Sequence, residues 1–569
     1  MVCRLYFSIF AIINSAEMKR REAILISLGL LVVVATFYQT LMPYHLFIRE
    51  QSILFLFSMD YIMSYLSAPA PLTSLIGDFL TQMMYLRYAG AFVIAILGVV
   101  EFWTWRCIWR GKLRNIWALI PTCADIFLLV KLSYPLAMSI GSICAVGLFL
   151  LIDKSHNKYR NNYIFHTITI LISIIGTWAI GSSIIITAVL LLFSNITREH
   201  GGKIISIKNI TTTALFAITY CLTTLLLRKI YLLPLNTIWT APVRGEDLTF
   251  IIMVIIISLL MSAWVKKYWI ACSMVILTSL ATIFTRANFA ADAIYGLGTE
   301  YYFGNHRRVD ELLKRLEDKK LNIVSYYGNL ESIRKGTISD DLMLRYQPFD
   351  KGLFMIPNEK MSWLDMLSGY EAFALAKCHN MAQHAAMLAN IFSPEGRSVR
   401  AIKLLARDNM IINDTLAADK YLSILRRTLF NSKIAFNETD YNDETLYANR
   451  AFSSTDISGM LLHIARTRKD NTTTLNYLLS YHLLTKNIET FGEVLNEFPS
   501  IYRGRYYQEA QLIYIAQKNE EFNPLHFDKR VLDDFLDYTK LYNEGNTKEL
   551  ERKYAKSYWF YYHFATLNK

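Results

Sequence analysis

The stretch 268-YWIACSMVILTSLATIFTR-286, followed after a short gap by 307-RRVDELLKRLEDKK-320, decides how this chain folds. The first segment is apolar over the length that a membrane-spanning helix needs, about 20 residues. The second is charged and amphipathic. Before residue 287 the chain repeats the first kind of segment, and after it the second kind. The 569 residues exceed one core, and the overall 53% hydrophobic and 19% charged content averages two unlike halves. The expected fold is all-α: a polytopic transmembrane helix bundle followed by a soluble, tetratricopeptide-like α-solenoid. The expected limits are a cytoplasmic N-terminus at 1–22, a transmembrane domain at 23–286 with interfacial helices at 51–86, and a soluble helical-repeat domain at 287–569.

Nine stretches qualify as spans: Ala23–Met42, Ala89–Ile108, Ile116–Val130, Tyr134–Ile152, Tyr163–Thr177, Ile180–Asn195, Thr213–Leu232, Leu248–Trp264 and Tyr268–Phe284. The fifth and sixth are either one overlong helix or two short spans parted at Gly176 and Gly181. Orientation follows from Lys and Arg in the short loops. Lys19, Arg20 and Arg21 precede the first span. Alternating from there, Arg106, Arg110, Lys112, Arg114, Lys154, Lys158, Arg160, Arg198, Lys203, Lys208, Lys266 and Lys267 fall on the same side. Arg49, Arg87, Lys131, Arg228, Lys229 and Arg244 fall on the other. The N-terminus is therefore expected in the cytoplasm of a bacterium, and the C-terminal domain beyond the inner membrane, in the periplasm. A single span at 163–195 would instead keep that domain in the cytoplasm. Met18-Lys-Arg-Arg reads as a natural start, leaving Met1–Ala16 outside the working protein; a cleaved signal peptide is the other reading.

The net charge of +12 sits largely in these short loops rather than in a basic stripe with interleaved aromatics, so no nucleic-acid partner is expected. Six of the seven cysteines lie at or before Cys272, with no CxxC spacing, which argues against a disulfide framework or a zinc site. No HExxH, GxSxG, P-loop or dinucleotide glycine pattern occurs. From the residues alone, no cofactor follows.

Between Pro43 and Tyr88, Phe55, Phe57, Tyr61, Ile62, Tyr65 and Leu66 recur at near-helical spacing. So do Leu72, Leu75, Ile76, Phe79, Leu80 and Met83, beyond Pro69-Ala-Pro71. Two amphipathic helices in the membrane interface account for the pattern, parted by the prolines. This arrangement resembles the C-type family of integral membrane glycosyltransferases. The resemblance implies a polyprenyl-phosphate-linked sugar donor, a divalent metal, and an acid near the start of the loop that deprotonates an acceptor hydroxyl. Glu50, preceded by Arg49, holds that place, with Asp60 and Asp78 further along; the family often shows an acidic pair, and here single acids stand. The plainer reading makes Arg49 and Glu50 the polar end of a span. Within the spans, Asp125, Glu101 and His166 are costly in lipid and are expected to face a polar interior, with Asp125 the most central. Lys131, near a span end, can snorkel.

From about Ala290 onward Gly and Pro are sparse and helix pairs recur. Trp363–Lys377 and Met381–Phe392 form one pair, with Ala382, Ala386 and Ala389 allowing close approach and Pro394 ending it. About one tetratricopeptide period later, Ser398–Asp408 precedes Ala417, Tyr421 and Ile424. Further pairs are expected at Asp456–Leu484 and Asn487–Gln517, and an aromatic closing helix within Thr547–Phe564. Leu54-Phe-Leu-Phe57 with Tyr61, Asp78-Phe-Leu-Thr-Gln82, Ala417-Ala-Asp-Lys-Tyr-Leu422 and Tyr507-Gln-Glu-Ala510 resemble an uncharacterised bacterial family of polytopic proteins with a helical C-terminal region. That resemblance implies an architecture and no activity. Two functions are expected to compete: a glycosyltransferase-like envelope enzyme using a lipid-linked sugar, and a non-enzymatic scaffold that assembles envelope proteins on its solenoid.

Overall fold

A computed structural model describes residues 2–158, 162–197, 207–243, 245–356, 361–394, 396–436, 456–467, 471–518 and 523–566. The orientation charges Arg160, Arg198, Lys203 and Arg244 lie outside these residues, as do the side chains of Lys19, Lys158 and Lys208. Among the described residues the chain is helical with no strand. It divides into two units, 1–292 with 427–430, and 293–426 with 431–569.

The first unit comprises α1 (Val2–Thr40), α2 (Pro43–Gln51), α3 (Met59–Ser64), α4 (Pro71–Thr81), α5 (Ala89–Trp105), α6 (Arg114–Leu128) and α7 (Leu136–Lys158). There follow α8 (Asn162–Ile180), α9 (Ile184–Thr197), α10 (Ile207–Tyr231), α11 (Leu235–Thr240), α12 (Gly245–Trp264) and α13 (Tyr268–Arg286). Six apolar helical stretches among the described residues are long enough to cross a membrane: 20–40, 136–155, 163–194, 211–231, 235–264 and 268–286. Their outward faces are apolar, as at Leu25, Val32, Leu222, Ile257, Leu277 and Phe284, all exposed. The interior holds Glu101, Thr122, Asp125, Ser139, Ser142 and Asp247, all buried. That inversion of ordinary globular polarity suits lipid as the surrounding solvent.

The apolar stretch 163–194 turns back on itself. Gly181 adopts φ +60°, and an added Cβ there would meet the Ala241 carbonyl oxygen at 2.4 Å. Ser183 packs at Gly141, and four residues on Thr187 donates to the Ala145 carbonyl (2.9 Å), so α9 runs alongside α7 in the same direction. α8 runs the other way, its Gly176 facing Leu148 and Ile184.

Two ends of the bundle can be followed by contacts. At one, Arg106 Nε of the α5 terminus donates to Asn115 of α6 (2.7 Å). At the other meet α2, the chain after α6, the first turn of α12 and the end of α13. Lys131 donates to both carboxylate oxygens of Asp247 (2.7 and 2.8 Å), Arg286 stands 3.9 Å from Asp247, and the His45 amide donates to Asp292 (2.7 Å). Tyr231, closing α10, donates to the Leu66 carbonyl at this end (3.2 Å).

The loop after the first span departs from its expected form. Met42 breaks the helix and Pro43 starts a separate one, α2, so Glu50 belongs to that helix and not to the end of a span. The first interfacial segment is short: residues 53–57 are not helical, and α3 plus one 3-10 turn covers only Met59–Ser67. α4 does not merely lie on a surface. Thr73 and Gly77 are buried, and a Cβ on Gly77 would fall 2.6 Å from the Ala137 backbone nitrogen of α7.

The second unit contains α14 (Phe289–Tyr302, whose first turn belongs to the first unit), α15 (His306–Leu316), α16 (Asn322–Lys335), α17 (Ile338–Asp341), α18 (Trp363–Leu375), α19 (His379–Ile391), α20 (Val399–Ile411) and α21 (Thr415–Leu425). It continues with α22 (Ile457–Thr467), α23 (Thr472–Leu484), α24 (Ile488–Glu497), α25 (Arg505–Lys518), α26 (Lys529–Asn543), α27 (Thr547–Tyr554) and α28 (Tyr558–Phe564). Neighbours in sequence pack as neighbours in space through α18 to α21 and again through α22 to α28. One turn joins the members of six pairs. Gly304, Gly336, Lys377, Asn413, Lys486 and Gly545 each take a left-handed φ of 59–75°. The next amide, of Asn305, Thr337, Cys378, Asp414, Asn487 or Asn546, then bonds the carbonyl five residues back at 2.8–3.0 Å. That bond satisfies a carbonyl the ending helix leaves open. Asp414, Asn487 and Asn546 go on to cap the following helix with their side chains.

Ala382, Ala386 and Ala389 are fully buried, and the close helix approach uses them. In the next pair the expected face is off by one residue: Ala418, Leu422 and Leu425 are buried, whereas Ala417, Tyr421 and Ile424 are half-buried. At the C-terminus Tyr558 and Trp559 are enclosed, donating to the Leu483 carbonyl (3.0 Å) and the Glu509 carbonyl (2.8 Å).

Candidate functional site

The site grows from the point where α5, α6 and α7 meet. Glu101 on α5 and Asp125 on α6 are both fully buried, and their carboxyl groups lie close enough to interact. Glu101 Oε1 accepts from the Trp105 indole (3.1 Å) and the Ser142 hydroxyl (3.2 Å). Asp125 Oδ1 accepts a hydrogen bond from the Tyr134 hydroxyl. The second oxygens, Glu101 Oε2 and Asp125 Oδ2, are enclosed with no hydrogen-bond partner among the described residues, as is the Ser139 hydroxyl.

Among the described residues no basic side chain bonds this pair. Arg49 of α2 spreads its guanidinium over three carbonyls, those of Tyr134 (2.5 Å), Leu129 (2.8 Å) and Lys131 (2.7 Å). It thereby serves the chain end of α6, where a helix leaves its last carbonyls unsatisfied. Burial holds the Arg49 guanidinium down at about 10 and, helped by Arg49, holds the His45 imidazole well below its ordinary value. His45 is therefore neutral at physiological pH. Tyr134 links the two parts, since its hydroxyl meets Asp125 and its carbonyl meets Arg49. Tyr38 of α1 closes the other side by donating to the Ile126 carbonyl (2.6 Å).

The remaining sequence candidates stand apart from this cluster. Glu50 is buried on α2, next to Arg49 in sequence. Asp60 is exposed in the first turn of α3. Asp78 accepts from the Tyr65 hydroxyl (2.7 Å), which also contacts Tyr61 (3.1 Å). His166 packs its ring beside Phe165 on α8. Among the described residues no group of three or more His, Cys, Asp or Glu could hold a metal ion. Tyr134, Ser139 and Ser142 were not marked by the sequence, because hydroxyls are common in apolar helices and only their convergence on the acids sets these apart; Tyr38, bonded to the Ile126 carbonyl, was not marked either.

Apolar helices able to cross a membrane, a polar interior and an appended helical unit define a polytopic membrane protein. Within that class, the chain belongs to the DUF6057 family, a family of unknown function whose model matches residues 18–565. No curated protein and no solved structure matches it.

Proposed function

We propose that this protein is a nine-pass membrane protein of the bacterial envelope that acts as an anchored scaffold, binding envelope proteins on an exported array of helix pairs. The observation that carries the reading is the turn repeated at Gly304, Gly336, Lys377, Asn413, Lys486 and Gly545, which we read as the joint of a tetratricopeptide-like solenoid. Such arrays offer extended binding surfaces rather than a single catalytic cleft.

The export of the array rests on chain direction. Taken as passes, α1, α5 to α10, α12 and α13 alternate between the two ends of the bundle, and nine is odd. The N-terminus and the end of α13 then lie on opposite faces. Arg20 and Arg21 mark the N-terminal face as cytoplasmic, so the chain leaves α13 on the outer side of the inner membrane. Alkaline phosphatase fused after Lys569 is expected to be active and β-galactosidase inactive; the reverse pattern sinks the nine-pass reading. Photocrosslinkers at exposed Leu416 and Tyr502 are expected to give discrete adducts with other envelope proteins, and an absence of adducts at both counts against the scaffold.

A second reading, the glycosyltransferase-like enzyme acting on a polyprenyl-phosphate-linked sugar, draws support from the folded α2–α4 segment at the end where α13 finishes. Glu50 is its base. A Glu50→Gln protein that fully complements a deletion strain would remove this reading and leave the scaffold standing.

A further inference from the structure

We propose that Glu101 and Asp125 form an intramembrane proton-binding site, in which the two carboxyl groups hold one exchangeable proton between them.

Four observations converge. Both side chains are fully enclosed in a bundle whose outer surface is apolar. Each carboxyl has one oxygen occupied by neutral donors: Trp105 and Ser142 on Glu101, Tyr134 on Asp125. Each has its other oxygen buried and unbonded among the described residues, with the Ser139 hydroxyl fully buried beside Asp125. The nearby bases are committed elsewhere: Arg49 to three carbonyls and Lys131 to Asp247. Two neighbouring carboxylates in an apolar setting, with no base between them, cannot both carry charge at tolerable cost. A carboxylate only accepts hydrogen bonds, so the two facing oxygens bond each other only when a proton lies between them.

The groups facing the pair from each packed element are few. They are Tyr38 from α1, Trp105 from α5, Cys123 from α6, Tyr134 from the α6–α7 connection, and Ser139 and Ser142 from α7; behind them, Arg49 of α2 reaches Tyr38, Asp247 of α12 reaches Tyr134, and Ser279 of α13 reaches Cys123. Of these, Tyr134 makes the site more than a passive store. Loss of the proton strengthens Asp125 as acceptor for the Tyr134 hydroxyl, and the same residue's carbonyl holds Arg49. The state of the pair is thereby transmitted to α2 and to Glu50 beside Arg49. The proposal stands whether the protein is a scaffold or an enzyme.

The test uses the full-length protein in detergent. Dicyclohexylcarbodiimide adds to protonated carboxyls in apolar surroundings, leaving a mass tag that peptide mapping locates. Labelling is expected at Glu101 or Asp125, falling by about tenfold per pH unit once the site has lost its proton. It is expected to be the same in sodium and potassium salts. Infrared spectra of the wild type should show a buried carboxylic-acid carbonyl band that Glu101→Gln and Asp125→Asn each alter. Absence of both label and band across the pH range overturns the proposal. Protection by sodium but not potassium overturns it as well, because the site would then hold a metal cation. Should either variant fail to fold, the wild-type labelling and spectrum decide alone.

Discussion

The two units treat buried charge in opposite ways. In the second, buried or largely buried acids are met by an arginine from a neighbouring turn or helix, Glu371 with Arg400 (3.0 Å), Glu509 with Arg505 (2.8 Å) and Glu331 with Arg334 (2.8 Å), and Asp408 shares a hydrogen bond with His379 (2.8 Å). In the first, Lys131 and Asp247 follow the same pattern at one end of the bundle, yet Glu101 and Asp125 interact with each other while Arg49 serves backbone carbonyls. Charge pairs between helices add register to a water-soluble array. An unpaired acid couple inside a bundle has no such use and calls for a chemical one.

The sharpest way to break this contrast is to remove a base from the second unit. Arg400→Met leaves the largely enclosed Glu371 without its hydrogen-bonded partner and removes the stacking of the guanidinium on Tyr302 (4.3 Å). The expected loss is on the order of 3–5 kcal/mol. It is read as faster amide exchange across α18 and α20, and Glu371→Gln on top of it should restore much of the loss. Failure of that rescue would mean the pair is not the relevant interaction.

Glu509 sharpens the comparison through pH. Burial pushes its carboxyl up to about 7, despite the Arg505 guanidinium and the Tyr558 amide that favour its ionised form. A carboxyl raised in the folded state favours folding most at low pH. Stability should therefore fall as pH rises from about 4.5 to 7 and level off above that, by up to about 3 kcal/mol. Amide exchange in α25 and α28 follows this, and Glu509→Gln should flatten the profile. A profile that rises over this interval would contradict the assignment.

The smallest effect concerns the turn rather than the charges. Gly304, Gly336 and Gly545 have φ of 69–75° and nothing within 4 Å of an added Cβ, so substitution by Ala meets conformational strain alone. Each is expected to cost about 1 kcal/mol, measured as a lower unfolding midpoint of the second unit. Equal tolerance at all three would mean the left-handed turn is not maintained in solution.

These particulars also show what the sequence could convey. The apolar runs located most long helices of the first unit, because crossing lipid demands length and composition, but α1 begins at Val2 rather than Ala23, and α2 and α11 were not foreseen. Helix pairing in the second unit was visible through its alanines and prolines. The recurrent turn was half visible: Gly304, Gly336 and Gly545 signal positive φ, whereas Lys377 and Lys486 take the same conformation without any signal in a lysine. Glu101 and Asp125 stood out as acids in apolar helices, but their pairing depends on how α5 and α6 pack, which no local pattern encodes. Arg49 looked like a flanking charge, and its duty to the carbonyls of Leu129, Lys131 and Tyr134 exists only because α2 folds back.

The first unit is discontinuous in sequence, and this bears on how the protein is made. Residues 427–430 belong to it: the Phe57 amide bonds the Arg427 carbonyl (2.7 Å), and Tyr85 stacks on Phe430 at 5.3 Å. A ribosome that has inserted the last apolar helix still has residues 293–426 to synthesise before the α2–α4 segment receives its final neighbours. Insertion and completion of the membrane unit are therefore separate events in time, and a nascent chain stopped at residue 292 would be embedded yet unfinished.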